Sequence, residues 1–430
     1  MTEPQVQALS PAVQINLNIR GMKPSATVAI NERSAELQAE GREVLKLGLG
    51  QSPFPVPKHV QQALRDNAQQ KDYLAVKGLP ALRQSISAYL KRTQGLDYDA
   101  QNVLIGPGTK ELMFIMQLTY YGDLVIPSPS WVSYAPQARI LGRNLHWLRT
   151  SLDSGLGVTP EALEELCQQD PDLPRLLILN YPSNPTGLAY SEDQLKAIGG
   201  VARRYRVLVL SDEIYGGVNF SGEHISIARY YPEGTIISDG ISKWSGAGGW
   251  RLGAFVFPPQ LKWLADAMAV VASETFTSTS APIQYAAIEA FQQNPAMESY
   301  LQQSRAVLEA LANYAYDRLT SAGAQAIKPQ GGFYLFPSFE AVRERILSKG
   351  IQTSDEFCQR LLDEKGVACL PGSCFGRPAS EFSVRIAYVD FDGEAALDAL
   401  EAGATLDHEF LRRYCGRVVE AIDRMHDFIS

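Results

Sequence analysis

"RLLILNYPSNPTG" (residues 175–187) places four large apolar residues in a row, Leu176 to Leu179, and then breaks into a turn of Asn, Pro, Ser and Gly. A strand with one wet face alternates apolar and polar side chains. A short continuous apolar run cut off by turn residues is the pattern of a strand covered on both faces by helices. "NVLIG" (102–106), "DLVIPSP" (123–129), "VLVLSDE" (207–213), "TIISDG" (235–240) and "LGAFVFP" (252–258) repeat it. Between these runs lie amphipathic helical patterns such as "SEDQLKAIGGVARRY" (191–205), where Ser191 is placed to cap the helix start and Gln194 to close a capping box. The alternation predicts an α/β fold built on a mainly parallel, doubly wound sheet.

The texture changes downstream. A long helical stretch, "MESYLQQSRAVLEALANYAYDRLTSAG" (297–323), ends at a glycine, and two strand-like runs follow, "GGFYLFPSF" (331–339) and "FSVRIAY" (382–388), separated by helices. This predicts a second, smaller α+β unit. The Pro- and Gly-rich "LGLGQSPFPVPKHV" (47–60) is expected to join it, which divides the chain into a large domain over 59–327 and a small domain of 1–58 with 328–430. The amphipathic C-terminal stretch 407–430 reads as packing.

Composition narrows the function. With 430 residues, 45% hydrophobic and 20% charged, the chain is a globular protein of more than one domain. A net charge of −8 and the absence of a basic segment argue against nucleic acid as a partner. "MTEPQVQALS" is unlike a secretory leader, and no run of about 18 apolar residues is present, so no membrane span is expected. The five cysteines are scattered and lack C-x-x-C spacing, which fits reduced thiols in a cytoplasmic protein and no metal site.

In open α/β sheets, ligands bind beyond the carboxyl ends of the strands. Those ends carry Asn180 and Asn184, Asp212 with Tyr215 three residues on, Lys243 after "TIISDG", and the small-residue turn "GPGTKE" (106–111) at a helix start. An amide, a carboxylate with a phenol, a lysine and an anion-binding helix end match pyridoxal 5'-phosphate, which has a ring hydroxyl, a pyridine nitrogen, an aldehyde and a phosphate. Each feature alone has a plainer reading. A lysine can be a solvated charge, an Asp after a strand can be a helix cap, and "GPGTKE" can be a simple βα turn.

Taken together, "KDYLAVKGLPALR" (71–83), "NYPSNPTG" (180–187), "SDEIY" (211–215), "SKWSGAGGWRLG" (242–253) and "FSVRIAY" (382–388) resemble, in order and approximate spacing, the class I/II (aspartate aminotransferase-like) aminotransferases of fold type I, which depend on pyridoxal phosphate. The resemblance implies that Lys243 is the Schiff-base lysine, that Asp212 faces the pyridine nitrogen, and that Tyr215 and Asn184 hydrogen-bond the ring oxygen. It implies that Trp131 stacks on the ring, and that Gly108, Thr109, Lys110, Ser242 and Arg251 hold the phosphate. Tyr73 is implied to reach the phosphate of the neighbouring subunit in a homodimer. Gly50, Asn184 and Arg385 are implied to bind the substrate, with Arg385 taking its α-carboxylate. One position departs from the pattern: Gly240 stands where the family often has a phosphate-binding serine, leaving Ser238 or Ser242 to replace it. Thr279 and Ser280 are further candidates across the dimer.

The expected activity is amino-group transfer between an L-amino acid and a 2-oxo acid. A lyase or elimination enzyme of the same fold would keep Lys243, Asp212 and Tyr215, so it stays open at this point. An aminotransferase-like transcription regulator would need a DNA-binding domain ahead of Leu47, for which some forty non-basic residues are too few. The stretch "AVVASETFTSTSAPIQYAA" (269–287) holds no arginine or lysine to meet a second substrate carboxylate. A neutral or aromatic donor is therefore expected, with 2-oxoglutarate as a possible acceptor and Lys77 or Arg20 as alternative distal cations.

Overall fold

The structure is a computed structural model and describes residues 14–430. The leader reading of the first ten residues, and residues 1–13 of the small domain expected from the sequence, lie outside the described residues.

Among the described residues, twelve strands form three sheets. In chain order they are β1 (Leu45–Lys46), β2 (Val103–Gly106), β3 (Asp123–Ser128), β4 (Leu145–Arg149), β5 (Arg175–Asn180), β6 (Leu208–Asp212), β7 (Thr235–Gly240), β8 (Gly253–Val256), β9 (Tyr334–Leu335), β10 (Val367–Ala368), β11 (Leu370–Pro371) and β12 (Val384–Ala387). Seven of them make the main sheet in the order β2-β8-β7-β6-β5-β3-β4. All its pairings are parallel except the two made by β8, which runs against both β2 and β7.

The continuous apolar runs are explained by what each face meets. In β5, Leu176 and Ile178 belong to one core cluster, with Leu112 and Phe255, while Leu177 and Leu179 belong to another, with Leu195 and Ile198. In β6, Leu210 and Val209 divide between the same two clusters. Alternate side chains thus enter different helix-covered cores, and each fully buried one contributes about 1.5–3 kcal/mol. The helix Glu192–Arg204 starts with the expected capping box of Ser191 and Gln194.

The later strands build the smaller units. β12 lies between β11 and β9, antiparallel to both. β1, from the N-terminal part, pairs in parallel with β10, so the two ends of the chain meet in one two-stranded sheet. The 27-residue helix Pro295–Ser321 packs against the C-terminal helix Gly416–Ile429. No helix among the described residues is long and apolar enough to cross a membrane.

Candidate active site

A cavity of 490 Å³ lies beyond the carboxyl ends of the central strands, and its lining is where the sequence candidates converge. Asp212, the last residue of β6, is flanked in register by Asn180 of β5 and Ser238 of β7. Its carboxyl is buried; Tyr134 Oη donates to Oδ2 at 2.5 Å and Ser238 Oγ to Oδ1 at 3.4 Å. Burial pushes the carboxyl up to about 6, and hydrogen bonds from Tyr134, the Ile214 N–H and Ser238 pull it back toward ionisation. A cation set against it would complete that ionisation.

Lys243 lies in the turn after β7. Its Nζ donates to the Gly50 carbonyl at 2.7 Å and sits 5.6 Å from the centre of the Tyr215 ring. Burial, and then the nearby Arg385 and Arg251 charges, lower its pKa to about 8. The amine is therefore poised between nucleophile and acid near neutral pH. The buried Tyr215 hydroxyl shares a 2.7 Å hydrogen bond with the Tyr334 hydroxyl.

Arg385 is only 1% exposed. Its Nη1 donates to Asn184 Oδ1 at 3.3 Å, its Nη2 bonds the Gly48 carbonyl, and its Nε has no partner. Among the described residues no carboxylate pairs with it, so a planar, buried cation is held by neutral groups and by the rings of Tyr334 and Phe375, at 4.9 and 5.1 Å. A buried charge in this condition calls for an anion, and a carboxylate fits its fork.

At the opposite end, Gly108 precedes the helix Thr109–Thr119 with φ +90°, and a Cβ there would fall 2.3 Å from Arg251 Nη2. A Cβ at Gly253 would fall 2.4 Å from the Thr109 nitrogen. These two glycines let the Arg251 guanidinium and the first N–H groups of the helix approach one small space. Arg251 otherwise bonds only the carbonyls of Gly248 and Pro107, at 3.1 and 3.4 Å. Unsatisfied helix donors beside a guanidinium form a place for a phosphate dianion. Trp131 lines the cavity between these ends and meets Tyr134 edge-on at 5.2 Å. The donor set suits pyridoxal phosphate at each of its functional groups.

The structure thus brings Gly50, Thr109, Lys110, Trp131, Asn184, Asp212, Tyr215, Ser242, Lys243, Arg251 and Arg385 to one cavity, with Gly108 against Arg251. Of the two serines offered in place of the missing one, Ser242 lines the cavity and Ser238 does not, its hydroxyl donating instead to Asp212. Gly240 has a steric cause: it lies opposite Gly253, and a Cβ would come within 2.7 Å of the Leu252 carbonyl. Tyr73 is 90% exposed and lies outside this chain's cavity, as do Thr279 and Ser280. Lys77 is paired with Asp266 at 2.5 Å.

Sequence reasoning passed over Tyr134, Tyr334, Thr27 and Gln51, which also line the cavity. Tyr134 was within reach of it, since it sits three residues after Trp131 on the same turn into a helix. Thr27, at the start of the helix Ala26–Ala39, is far from every motif and carried no signal.

Comparison with known proteins identifies the family. Residues 42–400 match the family described as aminotransferase class I and II. The chain is 37% identical over 405 residues to an aspartate aminotransferase of Geobacillus stearothermophilus, covering 91% of this chain and 98% of that one. It is 33% identical to an asparagine–oxo-acid transaminase of Streptococcus mutans, over 87% of this chain and 94% of the relative. Among solved structures, an aspartate aminotransferase from Thermus thermophilus with maleate superposes with a TM-score of 0.82 at 27% identity, covering 97% of this chain and 100% of that one.

Proposed function

Since the chain belongs to the class I and II aminotransferases, enzymes that move an amino group between an amino acid and a 2-oxo acid, we propose that it does so with pyridoxal phosphate held in the 490 Å³ cavity and with a dicarboxylic amino acid as donor. The unpaired, buried Arg385 is the observation that carries the substrate end of this reading.

In this account Arg251 and the N–H groups of Thr109 and Lys110 hold the phosphate, Trp131 covers the ring, and Tyr215 and Asn184 donate to its oxygen. Asp212 keeps the ring nitrogen protonated. The bound cofactor supplies an electron sink for the charge that develops when the substrate Cα loses its proton. With its amine free, Lys243 Nζ would take that proton and would later give one back; in this chain its pKa of about 8 leaves it able to do either near neutral pH. Arg385 fixes the α-carboxylate so that the Cα–H bond lies within reach of Nζ. Tyr73, 90% exposed in this chain, would complete the phosphate site of a second copy in a homodimer, with Thr279 and Ser280 facing the partner. The proposed large domain covers 59–327 and the small domain 1–58 with 328–430.

The dicarboxylic donor replaces the neutral or aromatic one expected from the sequence. Of the cations lining the cavity, Arg251, Lys243 and Arg385 have roles, and Lys110 is left. Its ammonium lies 5.0 Å from the centre of the Trp131 ring, makes no ion pair among the described residues, and is lowered in pKa by burial and then by Arg251. The relatives named for aspartate point the same way. The test is kcat/KM for L-aspartate against L-phenylalanine, in the wild type and in Lys110→Met. The expected result is a wild-type preference for aspartate that falls about tenfold or more in the variant. A wild type that prefers phenylalanine overturns the reading.

A further inference from the structure

At two strand ends, successive residues part company. Asp212 and Lys243 line the site cavity, while Glu213 and Trp244 line a second cavity of 660 Å³. Three arginines from separate elements line it: Arg92 near the end of the helix Pro80–Gln94, Arg229 in the turn Ile227–Arg229, and Arg305 in the helix Pro295–Ser321.

None of the three pairs with a carboxylate among the described residues. Arg92 Nη2 donates to the Phe291 carbonyl at 3.0 Å, Arg229 Nη2 to Gln94 Oε1 at 3.3 Å, and Arg305 Nε to the Gly217 carbonyl at 2.9 Å. Each guanidinium keeps N–H groups that no protein atom uses. Of the acids on the wall, Glu192 is paired with Lys196 at 2.8 Å, whereas Glu213 lies 2.9 Å from His224, which offsets its charge only when the imidazole is protonated. Asp239 accepts from Trp244 Nε1 at 3.3 Å and from the Gly240 N–H at 2.6 Å, and burial raises its pKa to about 8, which favours the protonated form near neutral pH. Glu213, Glu223 and Glu298 are the acids left facing the three arginines, none of them within ion-pair distance of a guanidinium among the described residues.

We propose that this second cavity binds a small molecule carrying two or more negative groups, such as a diphosphate or a di- or tricarboxylate, through Arg92, Arg229 and Arg305. Planar forks on three elements suit the several oxygens of such a ligand, and the cavity is large enough to hold it away from bulk water. The site backs directly on the segment that carries Lys243, since Trp244 is part of its wall.

The experiment is calorimetric titration of the cofactor-loaded enzyme, saturated with maleate so that the substrate carboxylate positions are filled. Pyrophosphate and citrate are the probes, at low ionic strength. One saturable site per chain is expected for at least one probe. Tighter pyrophosphate marks a phosphate-type ligand and tighter citrate a carboxylate. Arg305→Gln should weaken binding about tenfold or more, the loss of one charge-assisted contact, while Glu223→Gln with Glu298→Gln should tighten it, a gain no structural role for the arginines produces. Arg229→Gln, at an exposed side chain, serves the same purpose if Arg305→Gln does not fold. Absence of saturable binding, equal binding of acetate, or indifference to the arginine substitutions overturns the proposal.

Discussion

The hydroxyl of Tyr134 donates to Asp212 Oδ2 at 2.5 Å, both groups being buried. This bond, with that from Ser238, fixes the carboxylate and opposes the rise in pKa that burial imposes on it. Tyr134→Phe removes the donor and leaves the ring packing in place. The expected effect is a drop of about tenfold in kcat/KM with little change in thermal stability. Steady-state kinetics beside a melting curve checks this; unchanged kinetics contradict the role.

The amine of Lys243, with its pKa near 8, gives a definite pH dependence. Only the neutral amine attacks an aldehyde, and its fraction rises with pH until about 8 and then levels. The rate at which cofactor-free enzyme takes up pyridoxal phosphate should follow that curve, falling about tenfold for each pH unit below the turn. Stopped-flow absorbance measures it. A rate still climbing steeply near pH 10 would show an ordinary lysine.

Asp239 carries a stability signature of its own. Its folded-state pKa, about 8, stands above the ordinary value near 4. Its contribution to stability is therefore complete below about pH 4 and is lost as pH rises toward 8. Asn can accept the same bonds from Trp244 and the Gly240 N–H without ionising. Asp239→Asn should thus melt several degrees higher than the wild type at pH 8, and the gap should close near pH 4. Parallel melting curves that never converge argue against a buried, protonated carboxyl.

Tyr73 projects into solvent from this chain, 90% exposed. In the proposed homodimer it would complete the partner's phosphate site, and Tyr73→Phe should then loosen the cofactor by about 0.5–1.5 kcal/mol. Sedimentation that finds a fully active monomer contradicts the shared site.

The sheet was legible because burial on both faces leaves a local trace: Leu176 to Leu179 serve two cores at once and so must all be apolar. That Asp212, Tyr215 and Lys243 would share one cavity was legible because each follows a strand of the same parallel sheet, whose carboxyl ends face one side. What remained hidden depends on distance in the fold. Nothing near Gly240 announces that Gly253 approaches it too closely for a side chain, and nothing near Thr27 points to strands more than a hundred residues away. The free Lys110 side chain was read only for its backbone, because its surroundings are set by Trp131 and Arg251 from other elements.

The central claim is that Lys243 holds the cofactor covalently. Borohydride reduction of the loaded enzyme, followed by digestion and mass spectrometry, tests it most directly. The account predicts one pyridoxyl group per chain, on the peptide containing Lys243. A label on Lys110 or any other lysine, with Lys243 unmodified, would contradict it.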